Sequence, residues 1–424
     1  MNILLIGNGF DLEHGLPTKY SDFLEFCKIV LEFTHLYGPI NQEKTPVWFE
    51  QEICNNWKTS DSIKKSIISI YSAKYERVFS PTNNTNSSID SLEHNLDELF
   101  TSIHKNIWFH FFVSQSHQIG NNWIDLESEI SKVIRILDHA RNPKLKGTIH
   151  SYSLLDKIAE SAGLLDGSKM LGNSRQISNF TSALSQHLTL FIRSLEIYIS
   201  SFINAIPVTN LNSDISTLDI DCVLSFNYSD TFERLYDRDL RTEYDYIHGK
   251  ALTSNTLDSC NLVLGIDEYL DDSNKNTDLD FISFKKYYQR ILKSTGSIYQ
   301  SWLDSIQEDY TDTLAKRKAY ESVRKPTPFN LLPAYSETIY PLSKHHLYIF
   351  GHSLDITDKD VLYRLICSDY LYTHIFYYRE YHDDKRTLGR LIQNLVRIIG
   401  QDELIRRTGG SHRTIEFIPQ TLRE

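Results

Sequence analysis

Apolar and polar positions along the chain fall into two textures that change near residue 220. Asn2-Ile3-Leu4-Leu5-Ile6 is a short continuous apolar run ahead of Gly7. It predicts a strand buried on both faces, as in a parallel sheet. From about residue 22 to 215 apolar residues recur at helical spacing instead. Asp22 to Leu36 carries them at Phe23, Phe26, Cys27 and Val30, and residues 91–113 and 181–206 keep the same period. The polar run from Ser80 to Ser88 predicts a loop, and no internal repeat is found. Beyond residue 220, runs at Cys222–Phe226, Tyr244–Ile247, Asn261–Leu264, His346–Phe350, His374–Tyr378 and Thr414–Ile418 predict strands. An acidic loop is expected over 271–280, a return to helix over 281–322, and a further helix over Leu388–Ile399. The apolar face of that last helix would be Leu388, Leu391, Ile392, Leu395 and Ile399.

Strands alternating with helices predict an α/β fold with a doubly wound parallel sheet. The chain's 424 residues exceed what one compact core usually needs. We therefore expect residues 1–21 and 216–424 to form the α/β core, with 22–215 as a large, mainly helical insertion.

Four of the expected strands run into a polar or glycine motif: Gly7-Asn8-Gly9-Phe10-Asp11, Asn227-Tyr228-Ser229-Asp230, His248-Gly249 and Gly351-His352-Ser353-Leu354. Parallel strands put all these ends on one side of the sheet, where open α/β sheets bind ligands. Each motif also has a plain structural reading. The first glycine turn could be only a turn, since Leu12 stands where the dinucleotide fingerprint needs its third glycine. Asn227 could cap a helix, His248-Gly249 could be an exposed turn, and Gly351-His352-Ser353 a strand-to-helix connection. A Ser-His-Asp hydrolase is disfavoured, because Asp355 occupies the second glycine position of the G-x-S-x-G elbow.

Composition narrows the classes. A net charge of −11 argues against a broad nucleic-acid footprint. The five cysteines are scattered without a C-x-x-C pair, so no zinc ribbon or other metal centre is expected, and a reducing, cytoplasmic setting is. Residues 1–6 are too short for a secretory core, with Asp11 and Glu13 close behind, and no stretch approaches a membrane span.

The run from Gly7 to Phe23 (GNGFDLEHGLPTKYSDF) closely resembles the opening signature of the AbiH family, bacterial proteins of abortive infection. Asn122–Glu127, Leu224–Ser229, Ile247–Gly249 and Phe350–Leu354 resemble its later blocks, so the likeness runs nearly end to end. The order of motifs also resembles, more distantly, the sirtuin-like Rossmann fold, in which NAD lies across the strand ends. That resemblance implies an NAD hydrolase that depletes the infected cell. Backbone N–H groups of Gly7, Asn8, Gly9 and Phe10 would take the pyrophosphate. Asn227 would hold ribose or water, and His248 would act as base near neutrality. Asp11 would orient nicotinamide or stabilise positive charge, with Tyr228, Gly351, His352 and Ser353 completing the cofactor contacts. The paired cysteines of sirtuin deacylases are missing, which speaks against protein deacylation.

Two other readings stay open. One is a nuclease or RNA-targeting toxin using Asp125 with Glu127, or His345 with His346. Trp123–Glu127 reads more readily as a helix start lining the cleft, with Asp125 near the cap. The other is a non-catalytic nucleotide sensor controlling a partner. Oligomer contacts, or a phage-derived trigger or regulatory partner, are expected to act through residues 22–215.

Overall fold

The structure, a computed structural model, describes residues 1–37, 42–79, 87–119, 125–141, 157–158, 174–237, 239–267, 278–323, 332–379, 386–410 and 413–421. Of the expected polar loop Ser80–Ser88, residues 80–86 lie outside the described residues and Ser87 and Ser88 open a helix instead; most of the acidic loop, 271–277, also lies outside.

Six strands form one all-parallel sheet: β1 (Asn2–Ile6), β2 (Cys222–Ser225), β3 (Glu243–Tyr246), β4 (His345–Phe350), β5 (Leu371–Tyr377) and β6 (Ile415–Pro419). Their spatial order is β3-β2-β1-β4-β5-β6. The chain starts in the middle, moves outward to β3, and returns past β1 to build the other half. From Ile3 to Ile6 β1 is apolar because both faces are covered. Ile3 and Leu5 pack with Trp302, Val361, Leu365 and Leu395 on one side, while Leu4 and Ile6 meet Phe10, Ile215, Phe232 and Phe350 on the other.

Between β1 and β2 every regular element among the described residues is helical. These helices share a core of their own, with Phe23, Phe26, Phe49, Trp108, Phe112 and Phe191 fully buried. Leu262, Leu264, Phe281 and Phe284, which follow β3, join that core. Two helices stand where one was expected over 91–113: Ser87–Ile103 and Ile107–Ile119. Asn106 makes the break. Its amide donates to the carbonyls of Ser102 and His187, and its Oδ1 accepts from Phe109 N at the start of the next helix. The expected helix 181–206 runs as Ser174–Ile197 and closes in a π turn, Tyr198–Ile203.

Three further expectations are corrected. Asn261–Leu264 is not a strand; Leu264 N–H and C=O are both satisfied by the Gln289 side chain, which takes the place of a neighbouring strand. Helix does not run through 281–322. It stops at Lys293, where Ser294 (φ 52°) and Gly296 (φ 69°) turn left-handed against the end of β3, and resumes over Tyr299–Ser322. In the helix Arg386–Ile399, Ile392 is exposed and Ile398 takes its place in the core.

Candidate functional site

The turns after β1 and β4 are locked together by backbone. Gly7 N–H donates to Phe350 O (3.1 Å), Gly9 N–H to Gly351 O (2.8 Å) and Phe10 N–H to Gly7 O (2.8 Å). A Cβ on Gly7 would stand 2.7 Å from His352 Cα, and one on Gly9 2.8 Å from Gly351 Cα. Gly351 has φ 69°, and a Cβ there would overlap Phe10 N. The glycines are thus required for the close approach of two chain segments. The Phe10 ring is fully buried among His14, Phe232, Tyr236 and Phe350.

The end of β2 is tied to the same place. Asn227, 5% exposed, donates through Nδ2 to Gly7 O (3.0 Å) and does not cap the helix Thr231–Leu235. Two residues on, Ser229 Oγ donates to Asp11 Oδ2 (2.6 Å). Burial outweighs the Ser229 and Thr231 hydroxyls and pushes the Asp11 carboxyl up to about 6. Its Oδ1 is buried without a hydrogen-bond partner.

Beyond the ends of β3 and β4 lies a buried cluster of ionisable side chains. His248, 7% exposed, places Nε2 3.3 Å from Asp358 Oδ1. Lys286, 1% exposed, puts Nζ 3.2 Å from the same oxygen and 2.8 Å from Glu127 Oε2. His352 places Nε2 3.4 Å from Asp358 Oδ2, while its Nδ1 accepts the N–H of Leu354 (2.9 Å), a buried residue held at φ 56°. Four separate segments meet here: the helix Leu126–Arg141, the turn after β3, the helix Lys286–Lys293, and the residues following β4.

Electrostatics set the charge states. Burial alone would push Asp358 up; the Lys286 ammonium and the two imidazole N–H groups overcome it and hold the carboxyl well below its usual range. Lys286 is opposed by burial too, but Asp358, Glu127 and Asp267 keep it charged. Burial, helped by Lys286, lowers His248 to about 4, so its imidazole is neutral at pH 7. An anionic Asp358 can only accept, so His248 carries its proton on Nε2, and the buried Nδ1 is a bare acceptor without a partner. Burial also pushes Glu127 up to about 7 and Asp267 to about 6, against the pull of Lys286. Asp267 Oδ2 and Asn261 Oδ1 are further buried acceptors without partners.

The structure brings several expected residues together. Gly7, Gly9, Phe10, Asn227 and Gly351 share the glycine contact, while His248 and His352 share Asp358. Tyr228 lies with its ring 6.3 Å from that of His248 and donates its hydroxyl to Val263 O (2.9 Å). Others stand apart: Asn8 is exposed and accepts from Thr18, Ser353 is exposed, and Asp11 pairs with Ser229. Two expectations need correction. The N–H groups of Gly7, Gly9 and Phe10 are spent inside the fold and are not open to a pyrophosphate. His248 is a weaker base than an ordinary histidine, because its surroundings are dry and cationic.

Asp125 and Glu127 part company. Asp125 is exposed and caps its helix through Ser128 N, whereas Glu127 enters the cluster. His345 meets Asp309 while His346 meets His374, and among the described residues no three His, Cys, Asp or Glu side chains come together as a metal site. Lys286, Asp358 and Asp267 were not expected. An acid seven residues after Gly351 was a weak signal for Asp358; one lysine in a helical segment gave none.

The architecture defines an all-parallel α/β protein with a buried acid–base cluster beyond its strand ends. The family described as bacteriophage abortive infection AbiH matches residues 3–378, and the chain belongs to that family. No curated protein and no solved structure gave a significant match. Among the described residues no helix is long and apolar enough to cross a membrane.

Proposed function

We propose that this AbiH protein serves abortive infection by hydrolysing NAD at the bond between nicotinamide and ribose, on a doubly wound, sirtuin-like core. One observation carries the reading. A carboxylate-oriented, neutral histidine with a bare Nδ1 sits at the carboxyl ends of a parallel sheet ordered 3-2-1-4-5-6. That order is the one used by dinucleotide-binding sheets, whose ligands lie outside the carboxyl ends of the strands.

The reaction suits such a site. The C1′–N1 bond breaks, its electron pair stays on the ring nitrogen, and neutral nicotinamide leaves without a strong acid. The ribose gains oxocarbenium character, as in glycoside cleavage. Water adds at C1′ and gives up a proton, for which His248 Nδ1 is the acceptor, while Asp358 holds the ring as in other carboxylate–histidine pairs. Asn227 orients the ribose, and the unpartnered Oδ1 of Asp11 receives the nicotinamide amide. The free atoms of the cluster are acceptors, which suits a cationic ring and ribose hydroxyls as donors. The exposed Ser353 meets the adenosine side.

The test is nicotinamide release from NAD by wild type, His248→Ala and Asn227→Ala. Loss of a general base is worth about 10²–10⁴-fold, so His248→Ala should fall by at least that lower bound, and Asn227→Ala should also lose release because the ribose is no longer oriented. The burial of His248 and Asn227 also fits a sensor that binds the nucleotide without cleaving it. Tight NAD binding with no release would mark that reading, and neither binding nor release would sink both.

A further inference from the structure

Lys286 is the least exposed charged group of the strand-end cluster and makes contact with two of its carboxylates. Its backbone is fixed as well: Lys286 N–H donates to Ile266 O (3.1 Å), and Lys285 bridges to Ile266. Glu127, which grips the ammonium at 2.8 Å, is the second residue of a helix capped by Asp125, so its position is set from the helical layer. We propose that Lys286, anchored by Glu127, is a positioning residue of this site. Its ammonium holds Asp358 where that carboxylate takes the Nε2–H of both His248 and His352, leaving His248 Nδ1 an unpaired acceptor. This rests on the reading above that His248 is the reacting group.

The argument is one of charge conservation in a dry space. His248 is faced by Lys286, Asp358 and Arg290, and by the rings of Phe226 and Tyr228. Asp358 is faced by Lys286, His248, His352 and Glu127. Glu127 is faced by Lys286, Asp358 and Asp125, with Tyr20 and Tyr228 close by. Lys286 also feels Asp267, while Arg290 is drawn outward to Asp360. Lys286 is therefore the cation that balances these acids at the centre. Without it, Asp358 would retain its charge only if another group became positive. His248, already in contact, is that group. It would become an imidazolium, and its free acceptor would be lost. Lys286 thus keeps His248 in the neutral form whose Nδ1 stays a free acceptor.

The experiment is an NMR titration of the imidazoles in the full chain, with His248 assigned by its disappearance in His248→Gln. In wild type His248 should stay neutral with its proton on Nε2 from pH 8 to pH 5. In Lys286→Gln, which keeps amide donors but drops the charge, its midpoint should rise by about two pH units or more. Lys286→Arg should hold the wild-type value. An unmoved midpoint in folded Lys286→Gln overturns the proposal. Should that variant not fold, wild type alone still decides, since an imidazolium or an Nδ1–H tautomer near neutrality overturns it too. The titration requires no turnover. Failure to release nicotinamide would sink the hydrolase reading and leave this result to stand by itself.

Discussion

Two places at the strand ends answer the same question in opposite ways. Where the β1 and β4 turns meet, the donors of Gly7, Gly9 and Phe10 are spent on neighbouring carbonyls and the missing side chains are filled by backbone. Beyond β3 and β4, charged groups are buried in contact, yet His248 Nδ1, Asp267 Oδ2 and Asn261 Oδ1 have no partner. The first place is closed in its backbone, and beside it Asp11 Oδ1 stays without a partner. The second is left open at a cost, since a buried polar atom without a hydrogen bond destabilises a fold by about 1–3 kcal/mol. The difference teaches that glycine content marks where backbones touch, whereas three buried acceptors without partners gather in the segment that follows β3.

The comparison can be broken by substitution. The largest effect should come from removing the hub of the cluster. Asp358→Ala removes the partner that Lys286 and two imidazoles share, and breaking a buried ionic network by one partner costs about 3–5 kcal/mol, read as a lower urea midpoint. Gly351→Ala should lose about 3 kcal/mol or more, because a left-handed conformation and an overlap with Phe10 N both oppose a Cβ. Gly15 shares the positive φ (73°) but has open space around it, so Gly15→Ala should lose only about 1 kcal/mol. Equal losses at Gly351 and Gly15 would show that conformation, not backbone contact, explains the glycines.

Stability against pH sharpens the contrast between the two ends. The folded value of His248, about 4, lies below its ordinary 6.5, so its contribution is whole above about 6.5 and lost as pH falls toward 4. The folded value of Asp11, about 6, lies above its usual 3.8, so its contribution is whole below about 3.8 and lost as pH rises through 6. Each shift is on the order of 3 kcal/mol, and both groups are buried. His248→Gln should flatten the acid limb of the stability profile, and Asp11→Asn should gain on wild type as pH rises from 4 to 8. Parallel profiles for variant and wild type would contradict the charge states assigned here.

Much of the fold was legible in the sequence, and the site less so. All six strands were visible in the sequence: β1 and β2 as apolar runs, because burial on both faces leaves that signature, and the partly buried edge strands β3 and β6 by their aromatic and β-branched residues. The false strand at Asn261–Leu264 had the same look, since a buried extended segment served by the Gln289 side chain is as apolar as a strand. Helix breaks at Asn106 and Ser294 were missed because each rests on a tertiary contact, to His187 and to the end of β3. His248, Asn227 and His352 stood out by following strands. Lys286 and Asp358 did not, for their role depends on distances between segments that lie far apart in the chain.

The most direct measurement is a crystal structure of the wild-type protein with a non-hydrolysable carbocyclic analogue of NAD. The account predicts the C1′ position of the analogue beside His248 Nδ1 and Asn227, with its nicotinamide amide toward Asp11. An analogue bound away from the His248–Asp358 pair, or seated only against other faces of the molecule, would contradict it.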